Sequence, residues 1–245
     1  MTYPFVETHM LWGKKIKFTM NSYRSESWYG IRGHLERADN DVVKAVDDIN
    51  EWNPALRDMI NEGDTVIDCG ANEGHTTIAF ANRVGPKGKV IAIEADPDNV
   101  ALIKKNVALN GLNNVTVVQK AVSDKSGDWV YFQHEVVQTA DGGRLVETVR
   151  LDDFSKYKPD VVKIDVEGYE LPVVRGAEQL LRDGAKWEVE MHLSKTTGIH
   201  MTRRFGYDPL EIMRIFRSHG YKILFNDRLV AEGETPEGCI RCLPG

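Results

Sequence analysis

From Thr65 to its end this chain repeats one alternation: a short apolar run, a turn, then an amphipathic stretch of helical length. The apolar runs fall at Thr65–Cys69, Lys89–Glu94, Val115–Gln119, 161–165, 186–192 and Tyr221–Phe225, each of strand length. Helical periodicity fills 75–83, 97–110, 170–182 and 209–219. Along 97–110, Val100, Ile103 and Val107 share a face while Lys104 and Lys105 point away. Parallel strands need a crossover, and a helix of this size is the usual one. The pattern therefore predicts an α/β fold, a mostly parallel sheet with helices on both faces. The runs 129–132 and 147–150, with Asp141-Gly142-Gly143 between them, read as a hairpin inserted into that order.

Ahead of Thr65 the pattern is mixed. Residues 10–20 alternate like a short strand pair, and 41–50 reads as a helix. Asn53-Pro54 is an N-cap followed by proline at the first helical position, with Gly63 as the stop. Residues 1–52 are set apart as an N-terminal extension, and Trp28-Tyr29 within it could help to cover an acceptor.

Composition narrows the class. At 245 residues, 42% of them hydrophobic, the chain can build one full core. No apolar run approaches the roughly 20 residues that span a bilayer. The N-terminus lacks the basic-then-apolar layout of a signal peptide, so a cytosolic setting is expected. A net charge of −6 counts against a dedicated nucleic-acid binder. Of three cysteines, Cys239 and Cys242 form a C-x-x-C in the last strand, with no second pair to complete a zinc site. No metal is assigned to them.

In an open parallel sheet, ligands bind beyond the carboxyl ends of the strands, so those ends are where chemistry is sought. The first carries Asp68-Cys69-Gly70-Ala71-Asn72-Glu73-Gly74. Asn72 and His75 occupy the later glycine positions of a dinucleotide fingerprint, and no phosphate loop with its lysine exists. A carboxylate at Asp68 suits a cationic amino group better than a pyrophosphate. Glu94 ends the second strand, where an acid commonly accepts hydrogen bonds from ribose hydroxyls. An amino-acid cation joined to a ribose describes S-adenosyl-L-methionine. The plainer alternative is that Gly70 and Gly74 only make a tight turn.

A second cluster, Lys163-Ile-Asp-Val-Glu-Gly-Tyr-Glu170, sets Asp165, Glu167 and Glu170 at the end of the fourth core strand. Asp165 and Glu167 alternate off that end, whereas Glu170 is placed to cap the next helix. Clustered carboxylates at a crevice need a cation or donors, which marks them as functional candidates. Glu190-Met-His192 ends the fifth strand with two polar side chains on one side. Asp165, Glu167, Glu190 and His192 are the candidates for receiving an acceptor's proton, His192 on the strength of an ordinary pKa near 6.5. A divalent metal on Asp165, Glu190 and His192 is the alternative use of these groups, and the expectation is that no metal is required. His9, His34, His75, His134, His200 and His219 belong to no constellation. The segment 194–205 is a second candidate lid, and Arg203-Arg204 reads as a solvated pair.

These strings resemble the FkbM-type S-adenosylmethionine-dependent methyltransferases, from about Asn53 to His192. The resemblance rests on VIDCGANEGHTT, IAIEADPDN, KAVSDKSGD, RLDDF and above all VVKIDVEGYE with the later Gly176. It implies the class I methyltransferase (Rossmann-like) sheet of seven strands, mostly parallel, whose last strand, 239–243, runs antiparallel. Residues 53–245 would then be the methyltransferase domain and 1–52 a substrate lid. It implies that Asp68, Gly70, Ala71, Asn72 and Gly74 surround the methionine end of the cofactor, and that Glu94, followed by Ala95, takes the ribose. Ala121 and Val122 stand where many class I enzymes carry an acid, and would lie against adenine. Asp165 would lie near the transferring methyl group. The activity implied is O-methylation of a hydroxyl on a sugar, glycolipid or polyketide-like small molecule. An RNA methyltransferase on the same fold is the rival. The acidic charge and the lack of a second suitably placed lysine weigh against it. A binding protein that keeps only the fold is a third reading, disfavoured by the intact Asp68, Glu94 and Asp165.

Overall fold

The chain enters through an antiparallel hairpin, β1 (Phe5–Leu11) and β2 (Lys14–Met20). Three short helices follow: α1 (Tyr23–Tyr29), α2 (Ile31–Arg37) and α3 (Val42–Asn50). The hairpin and α3 match the pattern expected from sequence, while α1 and α2 carry no periodicity long enough to announce them. This is a computed structural model, describing residues 2–38, 40–133, 136–138, 142–193 and 204–245. Asn53 caps α4 (Pro54–Met59), its side chain accepting from the Leu56 N–H at 3.0 Å. That helix stops at Ile60, short of Gly63, which instead turns the chain and donates to the Val84 carbonyl.

The alternating region then builds β3 (Thr65–Cys69), α5 (His75–Val84), β4 (Lys89–Glu94), α6 (Pro97–Leu109) and β5 (Val115–Gln119). Short strands β6 (Ala121–Val122), β7 (Trp129–Gln133), β8 (Val136–Val137) and β9 (Arg144–Val149) form a separate sheet in the order β6-β9-β7-β8. β7 and β9 are the expected hairpin pair; Asp141 of the expected turn lies outside the described residues. After a 3-10 turn at Leu151–Tyr157 come β10 (Val161–Ile164), α7 (Glu170–Arg175), α8 (Glu178–Asp183) and β11 (Lys186–Met191). α9 (Pro209–Ser218), β12 (Tyr221–Phe225), β13 (Arg228–Leu229) and β14 (Gly238–Pro244) complete the chain.

The large sheet runs β13-β12-β14-β11-β10-β3-β4-β5. β14 is antiparallel to both of its neighbours, and the strands from β11 to β5 are parallel. This is the seven-stranded order expected, with the two-residue β13 added at one edge. The stretch 170–182, expected as one helix, is two. A Cβ on Gly176 would stand 2.3 Å from the Ser123 carbonyl, so the chain breaks there to let β6 and its exit pass. Among the described residues no helix is long and apolar enough to cross a membrane.

The two faces of the sheet differ. Ile67, Cys69, Val162, Ile164, Trp187, Val189 and Met191 pack on α7, α8 and α9 as the main apolar core. On the other face Val66, Val90 and Val161 pack on α4 and α5, but one step further along the strands the row becomes charged. Asp68, Lys163, Glu188 and Arg241 are paired in register across β3, β10, β11 and β14. Asp68, Lys163 and Glu188 are buried. A buried row of alternating sign is tolerable because each charge has an opposite neighbour.

The N-terminal extension covers the helix layer on that face. Leu11, Ile16, Phe18 and Met20 pack against Ile78 and Ala79 of α5. Asn106 of α6 accepts from the Thr19 N–H at 3.0 Å and donates to the Glu73 carbonyl at 3.0 Å. The histidines thought unrelated meet here. The His75 ring stacks on Tyr29 with centroids 4.8 Å apart and lies 5.7 Å from His9. Burial holds His75 well below its ordinary pKa and pushes His34 down to about 4. His134, His200 and Arg203 lie outside the described residues, as does most of the expected lid, 194–203.

Candidate active site

A cavity opens beyond the carboxyl ends of β3, β4 and β10, enclosing about 590 Å³ of space continuous with solvent. Gly70, Asn72, Glu94, Ala95, Ala121, Val122, Asp165 and Glu167 of the residues singled out in the sequence line it. Asp68, Ala71, Gly74, Glu190 and His192 do not. None of the described residues among 1–52 does either, although α1 reaches the glycine turn, where Ser25 Oγ donates to Glu73 Oε1 at 2.7 Å.

At one wall Glu94 is held ready. Its two carboxylate oxygens accept from the backbone N–H groups of Asn72 and Asp96, each at 2.8 Å. These two bonds fix the plane of the carboxylate at the cavity wall. Asn99, which sequence reasoning passed over, donates to Asn72 Oδ1 at 3.1 Å and lines the same wall. Ala121 and Val122, with Phe132 and Val137 from the inserted sheet, make the opposite wall apolar. Phe132 reads from sequence only as a hairpin residue and Val137 carries no signal at all, because nothing local says the hairpin folds back over a cleft. Tyr169 also lines the cavity, with Phe205 packed on it at a centroid distance of 5.3 Å. Arg204 donates to Gln138 Oε1 at 2.9 Å, so it is engaged with the inserted segment.

The turn after β3 is shaped by packing. Gly70 has φ +78°, and a Cβ there would stand 1.8 Å from the Asp165 carbonyl oxygen. The glycine therefore lets the β3 and β10 ends close on each other. Asp68 lies beneath this turn, fully buried. Its Oδ2 accepts from Thr76 Oγ1 at 2.8 Å and Thr77 Oγ1 at 2.6 Å, and its Oδ1 is 3.6 Å from Lys163 Nζ. Lys163 Nζ also donates to Asp165 Oδ2 at 3.1 Å. Burial opposes the Lys163 charge, but Asp165 and Asp68 outweigh it and hold its pKa above the ordinary value. The sequence placed this lysine below the strand end; its side chain climbs to it.

The far end of the cavity is anionic. Glu167 adopts φ +54°, a left-handed conformation uncommon for a non-glycine residue, and its Oε2 comes within 3.3 Å of His192 Nε2. The same nitrogen is 3.8 Å from Asp165 Oδ1 and 3.9 Å from Glu190 Oε1. His192 Nδ1 lies 2.6 Å from Glu170 Oε1, which also accepts from the Gly168 N–H at 2.9 Å. Glu170, expected to cap a helix, thus also holds the imidazole. Burial alone would lower the His192 pKa. The Glu170 bond and the charges of Glu170, Glu167 and Asp165 instead push it up to about 9. The ordinary value near 6.5 assumed from sequence does not hold in this setting. Burial, then Asp165, raises the Glu190 carboxyl, and burial pushes Glu188 up to about 7 against Lys163 and Asn53. Cys239 and Cys242 lie on opposite faces of β14, Cys239 exposed and Cys242 in the core, and both are free thiols.

Residues 68–223 match the family described as the methyltransferase FkbM domain. The hexuronic acid methyltransferase AglP of Haloferax volcanii is 28% identical over 217 residues, 83% of this chain and 76% of that one. A protein of Sulfurisphaera tokodaii bearing the name "Probable cobalt-precorrin-6B C(15)-methyltransferase (decarboxylating)" is 32% identical over 129 residues, 42% of this chain and 67% of that one. Among solved structures, the methyltransferase FkbM of Methylobacillus flagellatus is similar at 16% identity with a TM-score of 0.47, over 91% of this chain and 62% of that one.

Proposed function

Because the chain belongs to the FkbM methyltransferase family, and is on that ground an enzyme using S-adenosyl-L-methionine, we propose that it methylates a hydroxyl oxygen of a sugar, glycolipid or polyketide-like small molecule. The observation that carries this is the placing of Asp165 and Glu167 on the cavity wall, with His192 and Glu190 immediately behind them. The cavity suits the cofactor in its graded polarity: a pre-oriented diol acceptor at Glu94, an apolar slot at Ala121, Val122 and Phe132, and an anionic end at Asp165. When bound, S-adenosylmethionine supplies a methyl carbon on a sulfonium leaving group.

The chain's own residues then have three tasks. Glu94 and Asn72 fix the ribose end. Asp165, anchored by Lys163, complements the positive charge at the transferring carbon. Glu167 and Glu190 orient the acceptor hydroxyl and receive its proton as the new C–O bond forms, while His192, whose pKa of about 9 keeps it protonated at neutral pH, holds those carboxylates in place. Alignment of acceptor and methyl carbon supplies much of the acceleration, up to about 7–11 kcal/mol in the best intramolecular cases. Asp68 acts from below, by holding Lys163 and the glycine turn in place. Residues 1–52, packed on α5 and touching that turn through Ser25, brace the glycine turn from outside the cavity. AglP, a methyltransferase of a sugar acid, supports the sugar reading. The anionic cavity end disfavours the phosphate backbone that an RNA acceptor would bring. The test is mass spectrometry of glycan and metabolite extracts incubated with the enzyme and isotopically labelled methyl donor. Label on a hydroxyl oxygen of a small molecule or glycan is the expected result. Label only on RNA, or on carbon or nitrogen, overturns the proposal.

A further inference from the structure

We propose that Asp165, Glu190 and His192 form a divalent-cation site for magnesium or manganese at the acceptor end of the cavity. The proposal rests on the methyltransferase reading above and adds to it the group that activates the acceptor oxygen.

Each of the three offers one ligand atom, and these atoms lie within 4.8 Å of one another. Octahedral ligands at ~2.1 Å from an ion sit about 3 Å apart when adjacent and about 4 Å when opposite. Small side-chain rotations would close the set, and Glu190, whose side chain is 41% exposed, is free to make the largest one. The second observation is Glu170. Its side chain is wholly buried, its Oε1 is 2.6 Å from His192 Nδ1, and its Oε2 has no hydrogen-bond partner among the described residues. A carboxylate gripping one ring nitrogen is how metal-binding histidines are usually held, since it fixes the tautomer and turns the other nitrogen outward. Here the other nitrogen, Nε2, faces Glu167 at 3.3 Å as well as Asp165 at 3.8 Å and Glu190 at 3.9 Å, so a cation bound there takes the place of its proton.

Charge points the same way. Lys163, the nearby ammonium, is already shared between Asp165 and Asp68. The carboxylates of Glu167, Glu170 and Glu190 gather with Asp165 round one imidazole, and four carboxylates crowded on a single imidazole favour a further cation among them. Two carboxylate oxygens and one imidazole suit magnesium or manganese rather than a thiophilic metal. Because Asp165 lines the cavity, the remaining coordination positions face the acceptor. A cation there lowers the pKa of a hydroxyl placed against it, so the proton leaves to solvent more readily as the oxygen attacks.

Chelator-treated full-length protein is titrated with manganese(II) while free ion is followed by electron paramagnetic resonance. One saturable site per chain, displaced by magnesium, is expected. Glu190→Gln and His192→Ala should weaken it at least 10-fold, and Glu170→Gln by roughly 10–100-fold, although Glu170 contributes no ligand atom. Calorimetry with S-adenosylhomocysteine runs alongside. If it binds while manganese shows no saturable site, or all three variants bind manganese as the parent does, the cation site falls and the methyltransferase reading stands. If manganese binds as expected but S-adenosylhomocysteine does not, the methyltransferase reading falls and the cation site stands. Unchanged methyl transfer after rigorous chelation also overturns the proposal.

Discussion

Lys163 is where the buried charges of this chain converge. Its ammonium lies 3.1 Å from Asp165 and 3.6 Å from Asp68, the second of these wholly enclosed. Lys163→Met keeps the volume and removes the charge, leaving Asp68 buried without a cation. Losing one partner of such a pair usually costs about 3–5 kcal/mol. Urea unfolding should show that loss as a lower midpoint at unchanged slope. Glu94 carries a different kind of burden. If Glu94 takes the ribose as proposed, Glu94→Ala should weaken S-adenosylhomocysteine by about 1–3 kcal/mol in calorimetry. Unchanged affinity would remove Glu94 from the site. Groups on the acceptor side should behave in the opposite sense. Glu190→Gln and His192→Ala are expected to lower turnover by roughly 10²–10⁴ while cofactor affinity stays near the parent's, because they act mainly in the transition state. Normal turnover in both would clear the two residues of a role on the acceptor side.

At the scale of elements, the N-terminal layer is the part most exposed to acid. His34, in α2, is held down to about 4 by burial first and by Arg37 next, with His9, Glu7 and Asp48 also facing it. An unfolded chain would take up that proton near pH 6.5, so stability is present above pH 6.5 and is lost as pH falls toward 4. The loss should be on the order of 1–2 kcal/mol by pH 5. Thermal melts at pH 7 and pH 5 should show a smaller drop for His34→Gln than for the parent; equal drops would clear His34. This layer was also the least legible in the sequence. β3, β4, α6 and β10 announce themselves through apolar runs and caps, and Asp68, Glu94 and Asp165 follow from where those runs end. α1 and α2 are too short to show a period. The fold-over of Phe132 and Val137 and the meeting of Glu170 with His192 are tertiary facts: no spacing along the chain encodes a contact between a helix start and the end of the following strand.

For the molecule as a whole, ligand and fold are linked, because the cavity exists only when β3, β4, β10 and the inserted sheet are assembled. S-adenosylhomocysteine at a hundred times its dissociation constant should add about 2.7 kcal/mol to unfolding. For a chain of this size that is roughly a 5–10 °C rise in melting temperature. NAD at equal concentration should leave it unmoved, and a rise with NAD would contradict the cofactor assignment. The same interdependence appears in the in-register row of Asp68, Lys163, Glu188 and Arg241. Side chains alternate along a strand, so a slip of β11 by one residue would turn Glu188 and Glu190 into the apolar layer under α9 and swing Trp187 and Val189 out of it. A one-residue slip cannot survive that exchange. The row thus sets the step between β10 and β11, so that every folded copy carries the strand-end groups Asp165, Glu190 and His192 at one height.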